Sequence, residues 1–362
     1  MGRGIVADEQ VEAAIQHWAP RFVSNGIPLH DFRETTAGID RWDDWCAAWV
    51  ARGRVHEELA ERALEGGHRL TAGEHLVTAA RCHHFGKFVF VEHPDEMRAA
   101  HLLAVDAYTR ALPLLRPPGR RLEIPMGAAT LVGVLRVPEV ASPPPVVLLV
   151  SGLDSTKEEV DAYGEHLLAR GLATLAFDGP GQGEAEYAVP MRHDFEVAVG
   201  AVIDVLAGIP TVDGDRVGIY GVSLGGHYVV RAAAFEPRVR ACASISGSYR
   251  VLDSWAGRPR ANRMAYQVRA HLDSEEAVEA FLVDYDLAGV AERVTCPLYV
   301  VGGTRDRLTP PTAAERIARE ASGPVVLDVV EGGNHVVNNM PYRYRPQVAD
   351  WLVEVLGAGA SA

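Results

Sequence analysis

The run Val217-Gly218-Ile219-Tyr220-Gly221-Val222-Ser223-Leu224-Gly225-Gly226-His227 constrains this chain more than any other stretch. It reads as a short apolar strand, a serine between glycines, and an alanine-rich helix running through Phe235. The spacing G-x-S-x-G at a strand-to-helix junction forces a sharp turn. A Cβ two residues to either side of Ser223 would strike the neighbouring strand or helix, so Gly221 and Gly225 are required there. The turn lifts the Ser223 hydroxyl above the sheet and leaves the Leu224 N–H at a helix start. An ordinary glycine-rich turn can carry the same letters, so what Ser223 means depends on the rest of the chain.

At 362 residues the chain has room for two domains. Residues 1–118 read as a helical domain with almost no strand signal. Trp42, Trp45, Cys46 and Trp49 recur at helical spacing, and Val55, Leu59 and Leu64 continue the stripe, which reads as core packing more readily than as a ligand box. Gly66-Gly67 stops that helix, Thr71-x-x-Glu74 reads as a capping box for the next, and Pro94 opens another. His83 and His84 are adjacent on a helix, so they cannot both face one metal; either could line a cavity.

Past the proline-rich linker 113–119, strands and helices alternate. Leu122–Pro125 and Thr130–Val137 pair as a hairpin, and Val146–Val150 and Ala173–Phe177 are buried strands. Arg216–Tyr220 leads to Ser223, Arg238–Ser246 follows, and 247–290 reads as a helical insertion. Leu298–Val301 ends near Asp306, a helix is expected to open at Thr312-x-x-Glu315, Val325–Val330 ends near His335, and a helix over Tyr344–Leu356 precedes a Gly/Ala/Ser tail expected to fray.

Order and placement together give Ser223 its meaning. Ser223, Asp306 and His335 each follow a strand, and strand C-termini share one edge of an open parallel sheet. A serine hydroxyl is a poor nucleophile until a base takes its proton; His335 suits that task near neutral pH, with Asp306 fixing its tautomer. Asp253 is a second carboxylate that could orient the histidine, His227 is on the wrong element for the base, and Asp178 sits where a turn-stabilising role is expected. The oxyanion donors expected are the N–H groups of Leu224 and of Leu153, in the loop after the first buried parallel strand. The order Ser, Asp, His is that of α/β-hydrolases and differs from the two main serine protease orders.

Three runs sharpen that likeness: Ser151-Gly152-Leu153-Asp154-Ser155-Thr156-Lys157-Glu158-Glu159, Asp178-Gly179-Pro180-Gly181-Gln182-Gly183-Glu184, and the Gly-Val-Ser-Leu-Gly-Gly elbow. With Thr71-Ala72-Gly73-Glu74 in the helical part, the chain resembles over nearly its whole length the α/β-hydrolase subgroup of 2,6-dihydroxypseudooxynicotine hydrolase and the fungal polyketide-shortening hydrolases of pigment synthesis. The resemblance implies an α/β-hydrolase catalytic domain over 119–362, a helical N-terminal domain contributing to a lid, a homodimer, and hydrolysis of a carbon–carbon bond beside a ketone. Some relatives carry an extra glutamate where this chain offers Asp253, which puts that accessory role in doubt.

The expected substrate is a small ketone, an aryl ketone or β-dicarbonyl. The same residues would also serve a carboxylesterase or thioesterase, or a cyclase or acyltransferase that excludes water; a catalytically silent binding module is disfavoured by the intact Ser223, Asp306 and His335. A peptidase is weaker still, since the N-terminal part lacks propeller-like repeats. Tyr249, Trp255, Tyr266, His83 and His84 are the candidate pocket residues. No cofactor or metal is expected. A net charge of −13 argues against nucleic acid or an anionic membrane as partner. The N-terminus has no apolar leader, and four scattered cysteines, Cys46, Cys82, Cys242 and Cys296, read as small hydrophobes in a reducing compartment, so a cytoplasmic location is expected.

Overall fold

The computed structural model describes residues 8–357, so the residues before Asp8 and the tail after Gly357 lie outside the described residues. The chain divides into two compact units, Met1–Pro118 and Gly119–Ala362. The first contains helices α1 (Glu9–Ser24), α2 (Leu29–Ala37), α3 (Trp45–Glu65), α4 (Arg69–Lys87) and α5 (Pro94–Ala111). Its core is aromatic. Phe22 stacks on Phe85 with ring centroids 3.7 Å apart and meets Phe32, Trp49 and Phe88 at 5.0 to 5.5 Å. The Trp45 indole N–H donates to the Phe85 carbonyl at 2.9 Å, which satisfies a buried donor.

Beyond Trp49 the buried face of α3 runs through Gly53, His56 and Ala60, while Val55 and Leu64 face solvent. The reason is close helix packing: a Cβ on Gly53 would lie 2.3 Å from the His83 ring. Gly66 and Gly67 do end α3, Gly67 at φ +77°. Helix α4 then starts directly after His68, whose N–H closes α3 by donating to Ala63 O at 2.8 Å. Thr71 and Glu74 therefore lie inside the helix and form no capping box.

The second unit holds an eight-stranded sheet: β1 (Gly119–Met126), β2 (Ala129–Arg136), β3 (Pro145–Val150), β4 (Ala173–Asp178), β5 (Asp213–Val222), β6 (Val239–Ile245), β7 (Leu298–Gly303) and β8 (Val325–Val330). The order is β1-β2-β4-β3-β5-β6-β7-β8, with β1 and β2 antiparallel additions to a parallel sheet. Helices α6 (Lys157–Leu168), α7 (Glu196–Leu206), α8 (Leu224–Phe235), α11 (Pro311–Glu320) and α12 (Arg345–Leu356) connect or follow the strands, and α9 (Arg260–Arg269) and α10 (Glu275–Phe281) form the insertion after β6. Pro310 and Pro311 set the start of α11, so Thr312 lies within it and caps nothing. Strands β3, β4 and β7 are buried along their whole length, as their continuous apolar runs require. Because β3 connects to β4 on one side while β5 lies on its other side, the strand order reverses direction at the β3/β5 pair, and a crevice is expected above their C-terminal ends.

A charge cluster lies past the ends of β3 and β4. The Lys157 ammonium reaches Glu158 at 2.5 Å, Asp178 at 2.8 Å and Glu184 at 2.7 Å, and Arg121 holds both Glu184 oxygens at 2.8 and 2.9 Å. Burial raises the Glu184 pKa, but Arg121 and Lys157 outweigh it and hold the carboxyl at about 2.

The cysteines are free thiols, and burial pushes Cys46 up to about 12. Among the described residues no helix is long and apolar enough to cross a membrane.

Two measurements check these contacts. Phe22→Ala is expected to lower unfolding stability by about 3–5 kcal/mol, read by urea titration of fluorescence from Trp18, Trp42, Trp45 and Trp49. For Glu184 the folded pKa is depressed, so its stabilisation is complete above its unfolded value of 4.5 and lost as pH falls through about 2. The stability gap between wild type and Glu184→Gln should accordingly be widest at neutral pH and close toward pH 2 in urea titrations across that range.

Candidate active site

Ser223 stands at φ +58° and ψ −122°, a left-handed backbone that a non-glycine residue adopts only when its surroundings impose it. Two glycines make room. A Cβ on Gly221 would lie 2.2 Å from Gly225 O, and one on Gly225 would lie 2.4 Å from Val150 O and 2.5 Å from Ser151 O. The crowding thus involves the end of β3 as well as the turn's own backbone. The Ser223 N–H donates to Ile245 O at 2.8 Å, which ties the turn to the end of β6.

The His335 imidazole joins the two residues expected to accompany it. Its Nε2 lies 2.8 Å from Ser223 Oγ and its Nδ1 lies 2.8 Å from Asp306 Oδ2. The other oxygen of Asp306 accepts the N–H groups of Leu308 at 2.9 Å and Thr309 at 2.8 Å. Burial raises the Asp306 pKa, yet His335, the Thr309 N–H and the Ser246 hydroxyl together hold it below the ordinary carboxylate value. An ionised Asp306 keeps a proton on Nδ1 and so leaves Nε2 free to accept one from Ser223.

Strained backbone and close glycine contacts bring these groups together. Six non-glycine residues have positive φ among the described residues, and Ser223, Ser246, Val336 and Val337 are four of them, all just past the ends of β5, β6 and β8. A β-branched residue in that region is a genuine outlier, and such strain costs on the order of 1–3 kcal/mol per residue. The Val336 N–H donates to Ser246 Oγ at 3.0 Å, fixing the turn that follows His335. The loops after β7 and β8 abut: a Cβ on Gly303 would lie 2.4 Å from Gly333 O, and the Arg305 N–H donates to that same oxygen at 2.8 Å.

The expected oxyanion donors lie beside the serine. A Cβ on Gly152 would be 3.2 Å from Ser223 Cβ, so the loop carrying Leu153 packs against the nucleophile candidate. Leu224 is the first residue of α8, where an N–H has no partner within the helix. This juxtaposition can hold an oxygen bonded to an atom attacked by Ser223.

The remaining candidates have other placements. Asp253 is exposed and lines a cavity of about 220 Å³ with Tyr249, Arg250, Thr309 and Arg316; Asp306 is the carboxylate that bonds His335. The strand end before Asp253 faces the site, but the seven-residue helical turn Val251–Gly257 carries its side chain to the surface. The Tyr249 hydroxyl donates to Glu320 at 2.5 Å, and the Arg316 guanidinium lies 3.7 Å from its ring centre. The Trp255 indole donates to Glu279 at 2.9 Å and packs edge-on against Tyr266, whose ring also lies under the Arg258 guanidinium. His83 is buried with its Nε2 3.3 Å from Glu57, and burial lowers its pKa; His84 is buried against the Phe85 ring. His227 donates from Nδ1 to Ser248 O at 2.9 Å, and burial holds its pKa down at about 4, so it is neutral; the imidazole bonded to Ser223 Oγ is that of His335.

Sequence reading passed over Ser246 and Gln182 as site residues. Ser246 showed only as a strand end; Gln182 stood inside a run noted for its letters and not for its contacts. Glu158, Asp178 and Glu184 bring three carboxylates close enough together to suit a cation, and the Lys157 ammonium is the cation they surround.

Residues 24–354 match the family described as FrsA-like esterases. The chain is 33% identical over 358 residues to 2,6-dihydropseudooxynicotine hydrolase of Paenarthrobacter nicotinovorans, covering 98% of this chain and 96% of that protein. The crystal structure of 2,6-dihydroxy-pseudo-oxynicotine hydrolase superposes with a TM-score of 0.86 at 31% identity, over 93% of this chain and 95% of that one. The 20-hydroxy-prefusarin hydrolase FUS2 of Gibberella moniliformis is 35% identical over 230 residues, which are 59% of this chain and 55% of that protein. With the sheet order and the strand-end serine, histidine and aspartate already in place, these likenesses make the chain a member of the FrsA-like esterase family of α/β-hydrolases.

Proposed function

We propose that this protein hydrolyses a carbon–carbon bond beside a ketone, through an acyl-enzyme on Ser223, with an aryl ketone or β-dicarbonyl as substrate. The observation that carries the chemistry is the continuous hydrogen-bonded chain from Ser223 Oγ through His335 to Asp306, both links at 2.8 Å. The choice of bond draws on likeness over 98% of the chain to a hydrolase named for 2,6-dihydropseudooxynicotine.

In the proposed reaction His335 Nε2 takes the Ser223 proton as the oxygen attacks the ketone carbon, and Asp306 stabilises the imidazolium so formed. The oxyanion sits between the N–H groups of Leu153 and Leu224. Collapse of the tetrahedral species then expels carbon, which requires a leaving carbanion stabilised by a second carbonyl or an electron-rich hydroxyaryl ring. His335 delivers its proton to that carbon as the bond breaks. Water, activated by the same imidazole, releases the acid from Ser223. Every proton transferred starts or ends on His335 Nε2, so no second acid is needed and Asp253 has no step in the reaction.

Ester hydrolysis is the second reading, supported by the esterase description of the matching family. It uses the same groups with an alkoxide as leaving group, which makes expulsion easier and needs no carbanion stabilisation. A panel of aryl 1,3-diketones and matched esters separates the two by kcat/KM: a preference for the diketones supports the carbon–carbon reading, and a strong preference for the esters overturns it.

Three substitutions test the machinery. Ser223→Ala should abolish turnover and labelling by a fluorophosphonate, followed by intact-mass spectrometry; retained turnover would exclude the acyl-enzyme. Asp306→Asn should lower kcat by about 10⁴-fold, because an amide can present the wrong hydrogen-bonding partner to Nδ1 and so select the wrong tautomer. Asp253→Asn should leave kcat within about threefold of wild type, as an exposed surface substitution does.

A further inference from the structure

We propose that Gln182 is the positioning residue for the oxyanion site, and that it works by fixing the carbonyl side of the peptide whose N–H belongs to Leu153. The inference rests on the proposed acyl-enzyme on Ser223 with Leu153 as an oxyanion donor, and it gives the runs Gly152 to Glu158 and Asp178 to Glu184 a common task.

The Gln182 side chain is 3% exposed and uses its amide fully. Its Nε2 donates to Ser151 O at 2.6 Å and to Gly152 O at 3.1 Å, while its Oε1 accepts the Gly179 N–H at 3.1 Å. Gly152 O and Leu153 N–H are the two poles of one peptide group. That group is planar and trans, so holding the oxygen to one side turns the N–H to the other. Orientation of Leu153 N–H is thereby decided at Gly152 O, by a donor from a different loop. The same hydrogen bond withdraws electron density from the amide and strengthens its N–H as a donor.

The peptide also stands in the right place. A Cβ on Gly152 would lie 3.2 Å from Ser223 Cβ and 3.7 Å from Ser223 Oγ. Ser151 O, the second acceptor of Gln182, lies where a Cβ on Gly225 would meet it at 2.5 Å. Gln182 therefore grips the segment just where it crosses the serine turn.

A brace holds the gripping loop. Asp178 Oδ1 accepts the Lys157 N–H at 2.8 Å, and Oδ2 accepts Lys157 Nζ at 2.8 Å and the Glu184 N–H at 3.0 Å. One carboxylate thus fastens the far end of the Leu153 segment and the far end of the Gln182 loop together. The loop can approach because Gly181 and Gly183 take φ of +72° and +45°; a Cβ on Gly183 would lie 2.1 Å from Asp178.

The test is kinetic. Gln182→Leu should lower kcat by about 10- to 100-fold, less than the 10²–10³ seen for outright loss of an oxyanion donor, with KM changed less than threefold. A trifluoromethyl ketone, which binds as an oxyanion hemiketal, should lose affinity in parallel with kcat, while the corresponding secondary alcohol should bind as it does to wild type. Gln182→Glu adds a readout that simple loss of packing would not give. A neutral carboxylic acid can still donate to one carbonyl, whereas a carboxylate repels both, so the ratio of variant to wild-type kcat should rise as pH falls. Gln182→Glu also serves if the leucine variant fails to fold. Unchanged kcat in both variants overturns the proposal, as does equal weakening of the ketone and the alcohol, or a flat ratio across pH. Failure of the underlying reading shows separately, as a wild-type protein that the fluorophosphonate does not label or a Ser223→Ala protein that still turns over.

Discussion

The left-handed backbone at Ser223 is the constraint from which the site follows. A serine held at φ +58° needs glycine on both sides, a helix starting at once, and a neighbouring strand close enough to forbid relaxation. Val150 O and Ser151 O supply that last condition, because they press where a side chain on Gly225 would stand. The strain is not isolated. Ser246, Val336 and Val337 also take positive φ around the same sheet edge. Backbone held that way persists only where its surroundings over-determine it, and three such loops here surround the Ser223 hydroxyl, the imidazole and the Asp306 carboxylate.

Electrostatics around the site divide into a mobile part and a fixed part. The mobile part is His335, mostly buried with its side chain 11% exposed, between Ser223 and a fully buried Asp306 side chain, and placed to take and return a proton. The fixed part is the cluster around Lys157, whose ammonium is fully buried among carboxylates. His227 belongs with neither: burial makes it a neutral structural residue although it follows Ser223 by one helical turn. Closeness in sequence to a nucleophile candidate says little about proton transfer; the element on which a residue sits and the acceptor of its second ring nitrogen say more.

Much of this was legible in the letters. Strand ends carry Ser223, Asp306 and His335, and the period-free apolar runs of β3, β4 and β7 betray burial on both faces. Less legible was whatever depends on distant backbone. The spacing at Thr71 and at Thr312 satisfies the capping-box pattern, yet a glycine turn before His68 and a proline pair before Thr312 start the helices earlier. The stripe of α3 slips from Val55 to Gly53 because a histidine ring on α4 needs the space, which no count along α3 alone could reveal. Asp253 looked like a partner for the imidazole by strand placement, and a short helical turn takes it to the surface. Gln182 is the hardest kind of residue to see in a sequence, since its two acceptors lie 31 and 30 residues away and are backbone.

The buried ammonium of Lys157 occupies the position a divalent ion takes in many carboxylate clusters. Tethering that charge to the chain changes how the surrounding loops respond to their environment. A bound ion has a dissociation constant, competes with others and can be stripped by a chelator; a lysine side chain has none of these liabilities, because its local concentration is set by covalent bonds. The positive charge that Asp178 and its neighbours surround beside the segment from Gly152 to Lys157 is therefore put in place once, when the chain folds.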